Sequence, residues 1–200
     1  GNTRRHHRQQ PMATDLQQHL REELAEIDSA GLRRQLRQLD SAQCVRINLE
    51  GRELLNFSSN DYLGLANHPV LKKAVSKAVE QFGAGSGSAR LICGSQTPHH
   101  QLETALAAFK GTESALSFSS GYAAALGVVP VVVGKGDTVV IDKLIHASLI
   151  DAARLSGAKL RVFKHNDLED FEGILQWAAE RVGHTLVITE SVFSMDGVLA

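Results

Sequence analysis

Between residues 114 and 190 the chain repeats one rhythm: a short apolar, β-branched run, a turn, then a longer stretch with apolar positions three or four apart. The short runs are SALSFSS (114–120), DTVVID (137–142), KLRVFKH (159–165) and TLVITE (185–190). Runs of this length and composition, bounded by turn residues, predict buried strands. The intervening YAAALGVVPVV, HASLIDAARLSG (146–157) and DLEDFEGILQWAAERVG (167–183) predict helices, the last capped by Asn166 or Asp167. Strands alternating with helices predict an α/β fold whose sheet is mostly parallel and covered on both faces.

Upstream the pattern changes. Leu16, Leu20, Leu24 and Ile27 fall at helical spacing, with Thr14 or Asp15 where an N-cap belongs. Leu32, Leu36 and Leu39 resume the spacing after Gly31, which predicts an arm of one bent helix or two short ones. VRINLEGRELLNF (45–57) reads as a hairpin turning at Glu50-Gly51. Helices are predicted over 70–82 and 98–109, separated by the Gly/Ser-rich GAGSGSARLICGSQ (83–96). Gly1 stands first and Met12 is the candidate natural start, so residues 1–11 are expected to be a non-native or disordered leader. Residues 12–57 then form a helical arm and hairpin, and 58–200 an α/β domain.

Composition narrows the possible partners. A formal net charge of −1 provides no overall field for nucleic acid or an anionic membrane, and the basic RRHHR at 4–8 is local. The apolar run around VVPVVVG (128–134) is too short to span a bilayer. Cys44 and Cys93 lack metal or redox spacing, and no secretory signal precedes them, which points to a reducing, cytoplasmic setting. His99, His100 and Glu103 have no further ligands to complete a set, so no metal site is expected.

In parallel α/β sheets the functional loops lie beyond the carboxyl ends of the strands. Here those loops hold Ser119 to Tyr122, Asp142 to His146, His165-Asn166 and Glu190 to Asp196. In SSGYAAA, two hydroxyls and a glycine precede a helix, whose free N–H groups and dipole favour an anion; taken alone, the motif is better read as a simple serine cap with a turn glycine. His146 opens a helix, where the dipole favours a neutral ring able to stack on a flat cofactor or to serve as a structural hydrogen-bonder. Ser194 and Asp196 are either site residues or an Asx-turn. GAGSGSARLICG follows a helix and spaces its glycines wrongly for a dinucleotide fingerprint, so it reads as a flexible or substrate-lining loop.

Four stretches, in order, carry a resemblance: NFSSNDYLGL (56–65), GAGSGSARLICG (83–94), DKLIHAS (142–148) and ESVFSMDG (190–197). Together they resemble the α-oxoamine synthases, fold type I pyridoxal-phosphate enzymes that join an amino acid to an acyl thioester. The resemblance implies a truncated, aminotransferase-like large domain with pyridoxal 5'-phosphate as cofactor. It implies that Ser120, Gly121 and Tyr122 hold the phosphate, that His146 stacks on the ring and touches substrate, and that Ser194 meets the phenolic oxygen. Asn60, and more loosely Arg33, match substrate-carboxylate positions. Within the family, NFSSNDYLGL and FSSGYAA look most like the branch that condenses L-alanine with pimeloyl-CoA or a pimeloyl-carrier protein; a glycine acetyltransferase or another α-oxoamine synthase is the alternative. The family's homodimer is expected too. Its aspartate on the pyridine nitrogen and its Schiff-base lysine match nothing up to Ala200, so the chain is expected to be an inactive N-terminal half, or else a non-catalytic phosphate-binding remnant.

Overall fold

The computed structural model describes residues 16–194 and 197–200. The expected leader, the caps Thr14 and Asp15, and Asp196 lie outside the described residues. Contacts divide the chain after Gly83 into two units.

The first unit opens with helix α1, Leu16–Ser29. Gly31 ends it at φ +66°, a conformation that costs a residue without Cβ little. The Gly31 N–H donates to the Asp28 carbonyl and the Leu32 N–H to the Ile27 carbonyl, both at 3.0 Å, which is the bond pair of a Schellman terminus. The periodicity of Leu32, Leu36 and Leu39 does not become a second helix: 32–38 is irregular, and Leu39 forms an isolated bridge with Leu49. Spacing alone could not foresee this, because the left-handed glycine redirects the chain and those leucines find no face to bury. Strands β1 (Arg46–Leu49) and β2 (Arg52–Leu55) pair antiparallel, as the alternation predicts. Their turn puts Glu50 at φ 51° and Gly51 at φ 75°, matching the twist a two-residue hairpin requires. Helix α2, Pro69–Phe82, starts with a proline whose missing N–H is harmless there, and is capped by His68.

In the second unit, α3 (Thr97–Lys110) and α4 (Gly121–Val132) precede a regular alternation. It runs β3 (Thr138–Asp142), α5 (Ala147–Leu155), β4 (Lys159–Phe163), α6 (Leu168–Ala179) and β5 (Thr185–Ile188). The sheet is parallel with order β4-β3-β5. All five residues of β3 are buried, as expected of the central strand. Val139 and Ile141 face a core made with Ala125 and Val129 of α4 and Ala152 and Ala153 of α5. Because side chains alternate along a strand, Thr138, Val140 and Asp142 face the other way. Phe163, paired with Asp142, meets Phe171 of α6 there at 4.9 Å. Helices therefore cover both faces, and the α/β expectation holds.

Residues 114–120 are a correction, since the structure assigns them no strand. A strand needs a ladder partner as well as apolar residues, and this segment has none among the described residues. Instead the Ser117 N–H and hydroxyl both donate to Glu103 Oε1 at 2.9 Å. The Gly/Ser-rich loop also holds a turn of π-helix, Arg90–Gly94, which its composition did not suggest. Among the described residues no helix is long and apolar enough to cross a membrane.

Candidate cofactor site at the carboxyl edge of the sheet

Ser120 sits in extended conformation and caps α4, its hydroxyl oxygen accepting the Ala123 N–H at 3.1 Å. Its carbonyl takes the Ala124 N–H at 3.0 Å. By helix geometry the N–H groups of Gly121 and Tyr122 have no intrahelical acceptor, and they stand at the positive end of the dipole. A Cβ added to Gly121 would meet only open space, so an anion can approach the backbone there. The Tyr122 hydroxyl donates to Asp151 Oδ2 at 3.0 Å, and that carboxylate holds the phenol above its usual range.

His146 caps α5. Its Nδ1 accepts the Ser148 N–H at 3.2 Å and lies 2.7 Å from the Ser148 hydroxyl, which donates to it. A nitrogen that accepts carries no proton, so the ring keeps its proton on Nε2. The His146 backbone N–H donates to Glu190 Oε1 at 2.5 Å, joining the loop after β3 to the loop after β5. That second loop is drawn tight by a bridge between Val192 and Leu199 and by the Phe193 N–H on the Val198 carbonyl at 2.9 Å. Ser194 lies on its exposed side.

Gly121, Tyr122, His146, Glu190 and Ser194 line one cleft of about 820 Å³, whose deeper wall is apolar: Val128 and Val129 of α4 with Leu186 and Ile188 of β5. Four of the residues singled out in the sequence thus share a cavity, with Ser120 capping the helix that forms its rim. Asn60 and Arg33 belong to the first unit. Asn60 lines a separate cavity of about 590 Å³ with Arg37 and Phe57, and its Oδ1 accepts the Tyr62 hydroxyl at 3.5 Å. Arg33 lies 3.8 Å from Asp28 at the end of α1. His99, His100 and Glu103 have other work: His99 Nδ1 accepts the Gln96 N–H at 3.2 Å, His100 meets Ser95 at 3.0 Å, and Glu103 accepts Arg90 at 2.6 and 2.9 Å.

Sequence reasoning missed Glu190 as an individual site residue. Its partner lies 44 positions away, and no local pattern announces so distant a pairing. The donor set suits a flat, phosphate-bearing group. The N–H groups of Gly121 and Tyr122 and the Ser120 hydroxyl stand at a helix start, and the His146 imidazole and the Ser194 hydroxyl line the same cleft.

The family profile described as aminotransferase class I and II matches residues 52–200. The chain belongs to that family. An 8-amino-7-oxononanoate synthase of Geotalea daltonii is 49% identical over 179 residues, covering 90% of this chain and 46% of the relative. A serine palmitoyltransferase from S. paucimobilis, solved with PLP and myriocin bound, superposes with a TM-score of 0.85 at 29% identity, covering 94% of this chain and 48% of that one. An 8-amino-7-oxononanoate synthase from Francisella tularensis superposes with a TM-score of 0.60 at 34% identity, covering 72% and 38%. The chain therefore spans about half the length of the curated relatives it matches. The aminotransferase-like fold read from its motifs is the fold it has.

Proposed function

We propose that a polypeptide of the relatives' full length carrying this sequence is a pyridoxal-phosphate-dependent acyltransferase. It condenses L-alanine with a pimeloyl thioester, either pimeloyl-CoA or a pimeloyl-carrier protein, to give 8-amino-7-oxononanoate, CO₂ and the free thiol in biotin biosynthesis. The observation that carries this reading is the convergence of Gly121, Tyr122, His146 and Ser194 on one cleft. The near-half identity to synthases of that name supports the choice of substrates.

Pyridoxal phosphate would supply an electron sink for the charge left when a bond to the amino acid's Cα breaks. The chain's own residues bind and orient. The start of α4 takes the phosphate on the Gly121 and Tyr122 N–H groups, and the Ser120 hydroxyl can donate outward while its oxygen still caps the helix. Tyr122 is pinned through Asp151, which keeps its proton on the phenol oxygen. Ser148 fixes the orientation of the His146 ring through Nδ1. Ser194 contributes a hydroxyl for the phenolic oxygen, while Asn60 and Arg33 are assigned to the substrate carboxylate. A homodimer and a cytoplasmic setting belong to the same proposal.

The test is turnover. The full-length protein, supplied with pyridoxal phosphate, pimeloyl-CoA and L-alanine, is expected to release thiol and a product with the mass of 8-amino-7-oxononanoate. Glycine and L-serine should be poorer substrates. Turnover of glycine with acetyl-CoA and none with alanine would move the protein to the glycine acetyltransferase branch.

A further inference from the structure

The mechanism above leaves one buried ionisable cluster unused. Asp142, the last residue of β3, is 1% exposed. Its carboxylate accepts the Leu144 N–H at 2.7 Å and the Asn166 N–H at 3.4 Å. It also accepts His165 Nδ1, at 3.0 and 3.1 Å from its two oxygens. A buried carboxylate is tolerated only when its lone pairs are satisfied, and here the satisfying donors come from two different strand-end loops. His165 in turn sets its ring edge-on to Phe193, with centroids 4.5 Å apart and planes at 85°. Phe193 is itself 1% exposed and directly precedes Ser194.

Three loops therefore converge on one pair of side chains. The loop after β3 carries His146 and is shaped by Asp142 through Leu144. The loop after β4 supplies His165 and Asn166, and Asn166 also donates from Nδ2 to the Leu199 carbonyl at 3.0 Å. The loop after β5 hangs on Phe193, whose N–H and C=O bond Val198 and Gly197 at 2.9 and 2.8 Å. The other ring nitrogen of His165, Nε2, is buried without a hydrogen-bond partner. An imidazole kept solely to satisfy Asp142 has no need of that burial, which costs hydration. Pressing the ring against Phe193 requires it.

We propose that His165 is a positioning residue for the cofactor site: held by Asp142, it presses on Phe193 and so fixes Ser194 relative to His146. This rests on the functional reading above, in which Ser194 faces the cofactor. Two substitutions separate the two arms. His165→Asn keeps an N–H donor near Asp142 and removes the ring from Phe193. His165→Phe keeps the ring and removes the donor, leaving Asp142 its backbone partners.

Both variants, made in the full-length protein, are examined by amide hydrogen exchange and by pyridoxal-phosphate titration followed by absorbance. In His165→Asn, exchange at the Phe193 and Gly197 amides is expected to quicken about tenfold and the cofactor's dissociation constant to rise about tenfold, whereas His165→Phe, which keeps the ring against Phe193, should change both far less. Amides of β3 should keep their protection, which shows that the fold survives. Unchanged exchange at Phe193 and Gly197 in His165→Asn would overturn the proposal, as would a loosened loop with unaltered cofactor affinity. A wild-type protein that takes up no pyridoxal phosphate would refute the functional reading; the loop's exchange in the variants would still decide whether His165 holds it.

Discussion

At the residue scale, the polar network around Glu103 is the clearest device in the second unit. One carboxylate gathers Arg90, bidentate at 2.6 and 2.9 Å, together with the N–H and hydroxyl of Ser117. It thereby ties the π turn and the 114–120 segment to α3. The Arg90 hydrogen bonds, then those from Ser117, hold the Glu103 carboxyl well below the usual carboxylate range. A carboxyl depressed in the folded state stabilises fully above its unfolded pKa, and that contribution is lost as pH falls toward the folded value. Glu103→Gln should therefore lower the melting temperature by the same amount at every pH from about 6 to 8, and the gap should narrow below about pH 4. Melts across that range check it, and a gap that widened in acid would contradict the assignment. Ser120 gives a second residue-scale prediction. Ser120→Ala removes the cap and should cost about 1 kcal/mol in denaturant unfolding. Ser120→Asp should restore that stability yet weaken pyridoxal-phosphate binding about tenfold, because a carboxylate caps the helix but repels a phosphate.

At the scale of elements, β3 is secured by an aspartate at each end. Asp142 gathers the loops at its carboxyl end. At the amino end, Asp137 accepts the His184 and Gly134 N–H groups, both at 2.8 Å, and those bonds keep its pKa low. Beside it Gly183 holds φ +114°, and a Cβ there would lie 2.4 Å from the Gly136 carbonyl oxygen. Gly183→Ala must therefore strain its own backbone and push another backbone segment away, at a cost of about 3 kcal/mol. A clear fall in the urea midpoint with unchanged slope is expected; a neutral result would mean that the entry to β5 is free to rearrange. Much of this layout was legible in the sequence. The caps Ser120 and Asp167, the Glu50-Gly51 turn and the strands 137–142, 159–165 and 185–190 all rest on local chemistry, which a linear reading can see. Long-range pairings were not legible, and they decide the rest. SALSFSS has a strand's composition, but only a partner could make it one. Likewise the bonds from Glu190 to His146 and from Asp142 to His165 span 44 and 23 positions, with no periodicity to betray them.

At the scale of the whole molecule, the three-stranded sheet has, among the described residues, two unpaired sides with different chemistry. The β4 side carries Lys159 and Arg161, which with Arg181 gather on the Trp177 ring at 4.9, 4.0 and 3.5 Å. Charged side chains of this kind guard an edge against pairing with another chain. The β5 side is Thr-Leu-Val-Ile and has no charge, with Val187 40% exposed. Elsewhere in the second unit other apolar side chains are bare, among them Val131 at 83%, Leu91 at 98% and Val182 at 98% exposure. An uncharged strand edge in a polypeptide with this much bare apolar surface invites strand addition. The 200-residue polypeptide is therefore expected to associate at micromolar concentration, and to do so through β5 rather than β4. Sedimentation velocity should find dimers or larger species. Val187→Lys, which places a charge on the open edge, should shift them toward monomer, whereas Val162→Lys on the guarded β4 should change little. A monodisperse wild-type monomer would overturn the expectation that the β5 edge recruits a second chain.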